Sequence, residues 1–463
     1  MIFLLNSNLI GKNCMDIHIV GAGLAGSSLA YFLAEQKIAI TLYEMRPQHM
    51  TEAHLTGDAA ELVCSNSFKS LSPDSATGLL KQELKSLNSL ILKAADYAQI
   101  PAGSALAVDR LKFSQYIEQA ITQHPYVHYI KNHEIHGPFK HGITVIATGP
   151  LTSPKLTQWL QSVTDKDLYF YDAIAPIISA NSINMEEAFF ANRYDHGEEV
   201  SYLNCPLTQA EYESFVDDLK SAKTVPSKYF EQEIYYQGCM PIEAIAEQSQ
   251  NALRYGPMKP VGLKSKHGRP YAVIQLRPEN SGKTAYNMVG FQTKMTYGEQ
   301  TRVLKKIPAL ANANFLRHGS IHRNTFICSP KLLRGDLSLS HNPNIFFAGQ
   351  ITGVEGYLES TASGILTGIA ILSRLKQKPF IPPPPQSAMG ALYGHLKQSD
   401  ENRFQPSGIH FGLWNALHFE KPKPEWPKES KNNFNLWFTE CGRKAPGFRH
   451  GDIRPRPSAR INS

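Results

Sequence analysis

Cysteine is scarce in this 463-residue chain. The six (Cys14, Cys64, Cys205, Cys239, Cys328 and Cys441) are scattered, and none forms a CxxC pair. That pattern excludes a dense disulfide scaffold and argues against structural zinc. It sets a reducing cytoplasm as the expected compartment and no metal as the expectation. Long apolar runs are also missing. None approaches the ~18 residues a membrane-spanning helix needs, so no membrane role is expected. There is no internal repeat. The apolar part of residues 1–14 is only Ile2–Leu5, with no preceding positive charge and no small-residue cleavage site. This stretch is read as an N-terminal extension and not as a leader. What is present is 42% hydrophobic and 19% charged sequence. That composition excludes wholesale disorder and supports two or three domains around a large core.

Charge is unevenly placed. Residues 413–463 hold ten Lys+Arg against five Asp+Glu, so +5 of the net +7 lies there, with six Pro and three of the four Trp. The stretch lacks a helical period and is expected to have little fixed structure of its own. It reads either as a solvated tail or as an arm attracted to nucleic acid through phosphate charge and aromatic stacking. The run Pro382–Pro385 reads as an extended connector.

The strongest local signal is near the start. Ile17-His18-Ile19-Val20 is a short apolar run, followed at once by Gly21-Ala22-Gly23-Leu24-Ala25-Gly26 and a helical pattern through Leu29, Phe32 and Leu33. A second strand, 39–43, ends at Glu44, 18 residues after the last glycine, with Arg46 two residues on. GxGxxG between strand and helix marks a dinucleotide site. Gly21 permits the tight turn, and Gly23 lets backbone approach a pyrophosphate at the helix N-terminus. Gly26 lets helix and strand pack closely, and Glu44 can accept from ribose hydroxyls. The motif alone does not separate FAD from NAD(P).

Two later segments favour FAD. Thr144–Gly149 is a strand ending in ATG. Asn344–Gln350 is another, passing through Gly349, Gln350 and Gly353 into a helix over 358–375 with Ala362, Gly364 and Gly368 on one face. Strand ends in such sheets are where ligands bind, although small residues also serve plain helix packing. The cofactor segments lie far apart in sequence. The expected architecture is therefore α/β: a doubly wound, Rossmann-like FAD-binding domain of the glutathione-reductase type, interrupted by an inserted α+β domain. The expected divisions are an extension (1–14), a first FAD-binding part (15–152), an inserted substrate domain (153–317), a second FAD-binding part (318–412) and a Pro-rich basic tail (413–463). Within the insert, 169–178, 271–276 and 287–291 are sample strands and 210–219 a helix.

Cys64, in Glu61-Leu62-Val63-Cys64-Ser65-Asn66-Ser67, and Cys239, in Gly238-Cys239-Met240-Pro241-Ile242-Glu243, sit in turn-like surroundings. A thiol there can be exposed and reactive near helix-terminal N–H groups. By position alone, the commoner role of a free cysteine is that of a small buried hydrophobe.

The motifs GAGLAG (21–26), LYEMRP (42–47), ELVCSNS (61–67), PAGSALAVDR (101–110), GCMPIE (238–243), RYGPMKPVGL (254–263), RPYAVIQLR (269–277), HRNTFI (322–327) and FFAGQITGVEGY (346–357) resemble the TrmFO family of folate- and FAD-dependent tRNA uracil-5-methyltransferases. The resemblance spans about residues 15–412. It implies FAD at 21–26 and beside 346–357, reduction by NAD(P)H, and a one-carbon unit from 5,10-methylenetetrahydrofolate. The acceptor it implies is C5 of the T-loop uridine at tRNA position 54, with no obligatory protein partner. It further implies that Cys239 and Cys64 are the catalytic thiols, Cys239 attacking uracil C6 and Cys64 assisting proton transfer at C5 and flavin chemistry. Enolate charge at uracil O4 needs donors, for which Arg110, Lys259, Arg269, Arg277, His322 and Arg323 are candidates. Departures from the family pattern are Gln237 for Glu, Cys328 for Asn, and the tail. The rival readings are a GidA-type enzyme acting at wobble uridine, an FAD oxidoreductase acting on a small molecule, and a non-catalytic FAD-containing tRNA-binding protein.

Overall fold

In the computed structural model, which describes residues 15–164, 168–193, 200–225, 240–266, 268–414, 419 and 423–444, the apolar run Ile17–Val20 becomes an inner strand of a six-stranded sheet. Its neighbours are Ile143–Ile146 and Ile40–Tyr43, both parallel. The sheet runs 338–339, 342–347, 143–146, 17–20, 40–43, 127–130, and only the edge strand 338–339 is antiparallel. Parallel strands covered on both faces must be apolar throughout. Ile17, Ile19, Ile143, Val145, Phe346 and Phe347 are accordingly buried.

One face is covered by the helix Leu24–Glu35, which lies against the helix Tyr357–Leu375. The contact depends on missing side chains. A Cβ at Gly364 would stand 2.4 Å from Ala25 O, so the two helices approach backbone to backbone. This packing is helix on helix.

The chain leaves this sheet after Ile143–Ile146 and returns to it at Ser338–Leu339 and Asn342–Phe347. Between them lies a second six-stranded sheet, antiparallel throughout, in the order 189–190, 203–207, 272–278, 285–288, 177–179, 315–317. Alternation along its strands sorts the two faces. Leu203, Cys205, Ile274, Leu276 and Met288 face a core shared with Tyr212 and Phe215 of the helix Gln209–Ser221. That helix starts at a Thr208–Glu211 capping box, which satisfies its first N–H groups. Asn204, Gln275, Arg277 and Asn287 occupy the alternate positions, and all are buried polar residues. A two-stranded ladder, 168–174 with 320–326, carries the chain between the two sheets.

Two expectations are corrected. The stretch read as one strand, 169–178, is two: Leu168–Ile174 belongs to the ladder and Ile177–Ser179 to the second sheet. Pro176, which cannot donate to a ladder, separates them. The tail is not without structure. Trp426–Lys444 is a helix, and Trp426, Phe434 and Trp437 are buried in the main core. With buried Ser430 between them, these side chains mark one face at 426, 430, 434 and 437, a helical stripe hidden by the surrounding prolines and charges. Residues 445–463 lie outside the described part.

Candidate active site

The glycine turn is built by its backbone. Gly21 has φ +101°, a conformation that favours glycine, and its N–H donates to Tyr43 O at 2.8 Å. Gly26 lets the helix sit directly under the turn, since a Cβ there would be 1.9 Å from Gly21 O. The helix opens at Leu24 with Gly23 as its N-cap and no side-chain cap. Its leading N–H groups are thus left for an anionic ligand. A Cβ added at Gly23 meets nothing within 4 Å, so a ligand can approach the bare backbone. Gly21 and Gly23, with Glu44, Arg46 and Thr148, line a cleft of about 540 Å³. Ala25 and Gly26 are buried and shape the site by packing. Ala25 also touches the second cofactor segment: a Cβ at Gly349 would lie 2.7 Å from Ala25 Cβ. The fold therefore joins 21–26 to 349–353.

Glu44 is buried and its carboxylate is heavily used. Oε2 accepts from Ala22 N at 3.0 Å and Arg46 Nη2 at 3.2 Å. Oε1 accepts from Arg46 N at 3.1 Å and Arg46 Nε at 3.0 Å. Burial by itself would raise this carboxyl. The guanidinium and the amides of Arg46 and Ala22 outweigh it and hold the group below its usual range. A ribose hydroxyl reaching Glu44 must share these acceptor sites with Arg46. Arg46 also donates to Glu61 Oε2 at 3.3 Å and to the Thr56 and Asp58 carbonyls, fastening the following loop.

A second cleft, about 1330 Å³ and open to solvent, lies between the two sheets and meets the first at Leu151, which lines both. Half-buried Cys64 is in its wall. The Cys64 loop is held at several points. Cys64 N donates to Tyr357 Oη at 3.0 Å, and Tyr357 Oη donates to Ser65 O at 2.8 Å. Arg110 donates to Cys64 O at 2.8 Å and to Leu62 O, and it pairs with Glu279 from the inserted part of the chain. Burial opposes the charge on Arg110, but Glu279 more than offsets it and raises the guanidinium above its ordinary value. Arg317 donates to Val63 O at 3.1 Å. Cys64 is thus a half-buried thiol on a loop whose backbone carbonyls are held by two arginines. Gln350 donates to Glu355, and both line the same cleft.

Across from Cys64, Arg277 and Asn287 are cross-strand partners on the polar face of the second sheet. Arg277 Nε donates to Asn66 Oδ1 at 2.8 Å. Burial pushes the Arg277 guanidinium below its ordinary value. Asn287 Nδ2 and Asn324 Nδ2 are buried without a hydrogen-bond partner, and both residues line the cleft.

Of the expected site residues, the structure brings Gly21, Ala22, Gly23, Leu24, Ala25, Gly26, Glu44 and Arg46 together with Gly349, and it sets Gln350 and Cys64 in the adjoining cleft. Gly353 serves the turn and lies under Phe404, whose ring a Cβ would meet at 2.4 Å. Cys239 lies outside the described residues, as does Gln237. Among the cation candidates whose side chains are described, only Arg277 lines the cleft. Arg110 is committed to Glu279, Arg269 is exposed, Lys259 lies elsewhere, and the His322 and Arg323 side chains are not described. Buried Cys205 is raised by burial to about 12. Residue-by-residue reading missed Asn66, Glu279, Asn287, Asn324, Glu355 and Tyr357. A usable signal existed in Tyr271–Arg277, where Gln275 and Arg277 interrupt an apolar strand at alternate positions. A strand apolar on both faces would not carry them.

The sequence family described as Glucose inhibited division protein A matches residues 16–379. The methylenetetrahydrofolate–tRNA-(uracil-5-)-methyltransferase TrmFO of Natranaerobius thermophilus is 48% identical over 412 residues, covering 88% of this chain and 95% of its own. TrmFO of Desulfitobacterium hafniense is 50% identical over 400 residues, covering 86% and 91%. This chain belongs to the TrmFO family. Among solved structures, Aquifex aeolicus GidA superposes with a TM-score of 0.68 at 15% identity, covering 94% of this chain and 74% of that one. That likeness carries the fold alone: the flavoprotein-type α/β architecture with an interrupted parallel sheet. The sequence-family match over residues 16–379 takes in the glycine turn, Cys64 and the returning strand.

Proposed function

We propose that this chain methylates C5 of a uridine in tRNA, with FAD as its resident cofactor, 5,10-methylenetetrahydrofolate as carbon donor and NAD(P)H as reductant. The observation that carries this reading is the 48–50% identity to TrmFO enzymes over nearly the whole chain. The finer assignment, to T-loop uridine 54, is our inference from the shared motifs. The residues fit the cofactor. The uncapped helix N-terminus and open Gly23 suit a pyrophosphate, Glu44 suits a ribose, and the two clefts meeting at Leu151 suit a molecule stretched between them. Bound FAD supplies the reducing equivalents that bring the transferred carbon to the methyl level.

The chain's own residues then have defined tasks. Uracil C5 is a weak nucleophile. Addition of a cysteine thiolate at C6 forms a C–S bond and moves the C5=C6 electron pair into an enolate over C5, C4 and O4, so that C5 can attack the electrophilic methylene carbon. Loss of the C5 proton to a base expels the nitrogen that carried the methylene carbon and leaves an exocyclic methylene on C5; a hydride, at the reducing level the bound flavin would supply, then completes the methyl group, and expulsion of the thiolate restores the ring. We assign the two thiol tasks to Cys239 and Cys64. Cys64 is suited by its half-buried place in the cleft wall, where Tyr357 and Arg110 fix its backbone. A loop uridine must swing out of its stack to reach this depth.

The test is reconstitution. Purified protein, unmodified tRNA transcript, methylenetetrahydrofolate and NADPH are incubated, and the RNA is digested for nucleoside mass spectrometry. 5-Methyluridine forms with the folate and does not form when S-adenosylmethionine replaces it. A transcript with cytidine at position 54 yields none. Product on that transcript overturns the T-loop assignment, and product at the wobble position supports the GidA-type reading.

A further inference from the structure

The polar face of the second sheet and the adjoining 320–326 strand are anomalous as a free surface. Asn287 and Asn324 are 3% and 2% exposed, yet each leaves its amide NH₂ unpartnered. Buried donors without acceptors are costly and rare, and one that lines a cleft marks where a ligand supplies the acceptor. Arg277, 6% exposed, has a single hydrogen bond, from Nε to Asn66, and no ion pair among the described residues. Its two terminal nitrogens are left for the cleft it lines. Arg110 is the contrasting case, with its donors spent on Glu279 and two carbonyls. Three uncommitted donors, one of them a cation without an ion pair among the described residues, therefore share a cleft with Cys64.

We infer that Arg277, Asn287 and Asn324 form the donor set that reads the two carbonyl oxygens of the target uracil. The Arg277 fork meets the oxygen on which enolate charge collects, and the amides orient the ring. This rests on the cleft being the uracil-methylation site. An imide ring offers two acceptor oxygens and no strong donor except N3–H, which matches a site rich in donors. A guanidinium that forms no ion pair loses nothing when charge develops beside it, and preorganised donors act most where water is excluded.

The experiment compares Asn287→Leu, Asn324→Leu and Arg277→Lys with wild type in the full flavin-loaded protein. Four readouts are taken: Tm, bound flavin by absorbance, the KM and kcat split for tRNA and for methylenetetrahydrofolate, and the rate of covalent adduct formation with a 5-fluorouridine-containing tRNA. Leucine removes a donor that has no partner in the free protein, so Tm stays level or rises. Meanwhile kcat/KM for tRNA and the adduct rate fall about tenfold or more. The folate KM and bound flavin stay near wild type. Arg277→Lys keeps charge without the fork and lowers kcat more than it raises the tRNA KM. A fall in Tm makes the amides structural and overturns the inference. So does loss of flavin, a rise in the folate KM alone, or unchanged kinetics. Tm and flavin content are read whether or not the wild type makes 5-methyluridine. Failure of the reaction assignment is therefore told apart from failure of the donor set.

Discussion

Breaking the Arg110–Glu279 pair gives the sharpest energetic prediction. Arg110 follows Asp109 at the start of the helix Arg110–Thr122, and Glu279 follows the strand Ala272–Pro278 of the inserted part. The pair links the two halves of the chain at the Cys64 loop. Arg110→Met strands a Glu279 carboxylate whose side chain is only 7% exposed and removes the donor to Leu62 O and Cys64 O. Stranding one partner of a buried pair costs about 3–5 kcal/mol, and each carbonyl left dry adds about 1–3 kcal/mol. Glu279→Gln alone leaves the Arg110 guanidinium with a neutral partner that offers one acceptor oxygen and no charge, and is also destabilising. The double variant removes the stranded charge and retains only the carbonyl loss. Urea unfolding of the four proteins, followed by circular dichroism, yields a coupling energy of about 2 kcal/mol or more. The single Arg110 variant loses methylation beyond its stability loss, because the Cys64 loop is no longer fixed. A coupling near zero, with Arg110→Met folding and working normally, would refute the claim that this pair holds the site.

Three further predictions follow from the same packing. Gly364→Val forces a side chain into the 2.4 Å gap against Ala25 O. It costs at least about 1–3 kcal/mol and lowers the flavin-to-protein absorbance ratio, since the displaced helix carries the glycine turn. Glu83 is buried and accepts from the N–H groups of Ala388 and Met389 at 2.8 Å each; burial raises its carboxyl to about 8 against those two donors. Its folded pKa lies above its unfolded value, so the unfolded chain ionises first, and stability falls as pH rises from about 4.5 through about 8, by at most about 1.4 kcal/mol per unit. Wild type minus Glu83→Gln in Tm against pH shows this decline, and a rising difference would contradict it. Phe434→Ala, in the helix Trp426–Lys444, destabilises by about 3–5 kcal/mol; no change in unfolding would mean that the helix does not belong to the core.

Legibility in the sequence followed the range of each interaction. Gly21, Gly23, Gly26 and Glu44 announce themselves because turn, helix start and acid sit within one βαβ unit, where spacing is geometry. The joining of 349–353 to that turn was readable only as a second strand end, and the Gly364 contact with Ala25 needed the fold. Arg110 and Glu279 are 169 residues apart, and no local pattern relates them. The tail helix was missed because three prolines and a run of charges masked the spacing of Trp426, Phe434 and Trp437. Asn287 and Asn324 look ordinary in sequence. Only burial without a partner makes them conspicuous.

The most direct test of the central claim is carbon tracing. The protein is given unmodified tRNA, NADPH, unlabelled S-adenosylmethionine and methylenetetrahydrofolate carrying ¹³C in its methylene group. The account predicts 5-methyluridine with the label in its methyl group. Unlabelled 5-methyluridine, or none from protein that holds FAD and oxidises NADPH, would contradict it.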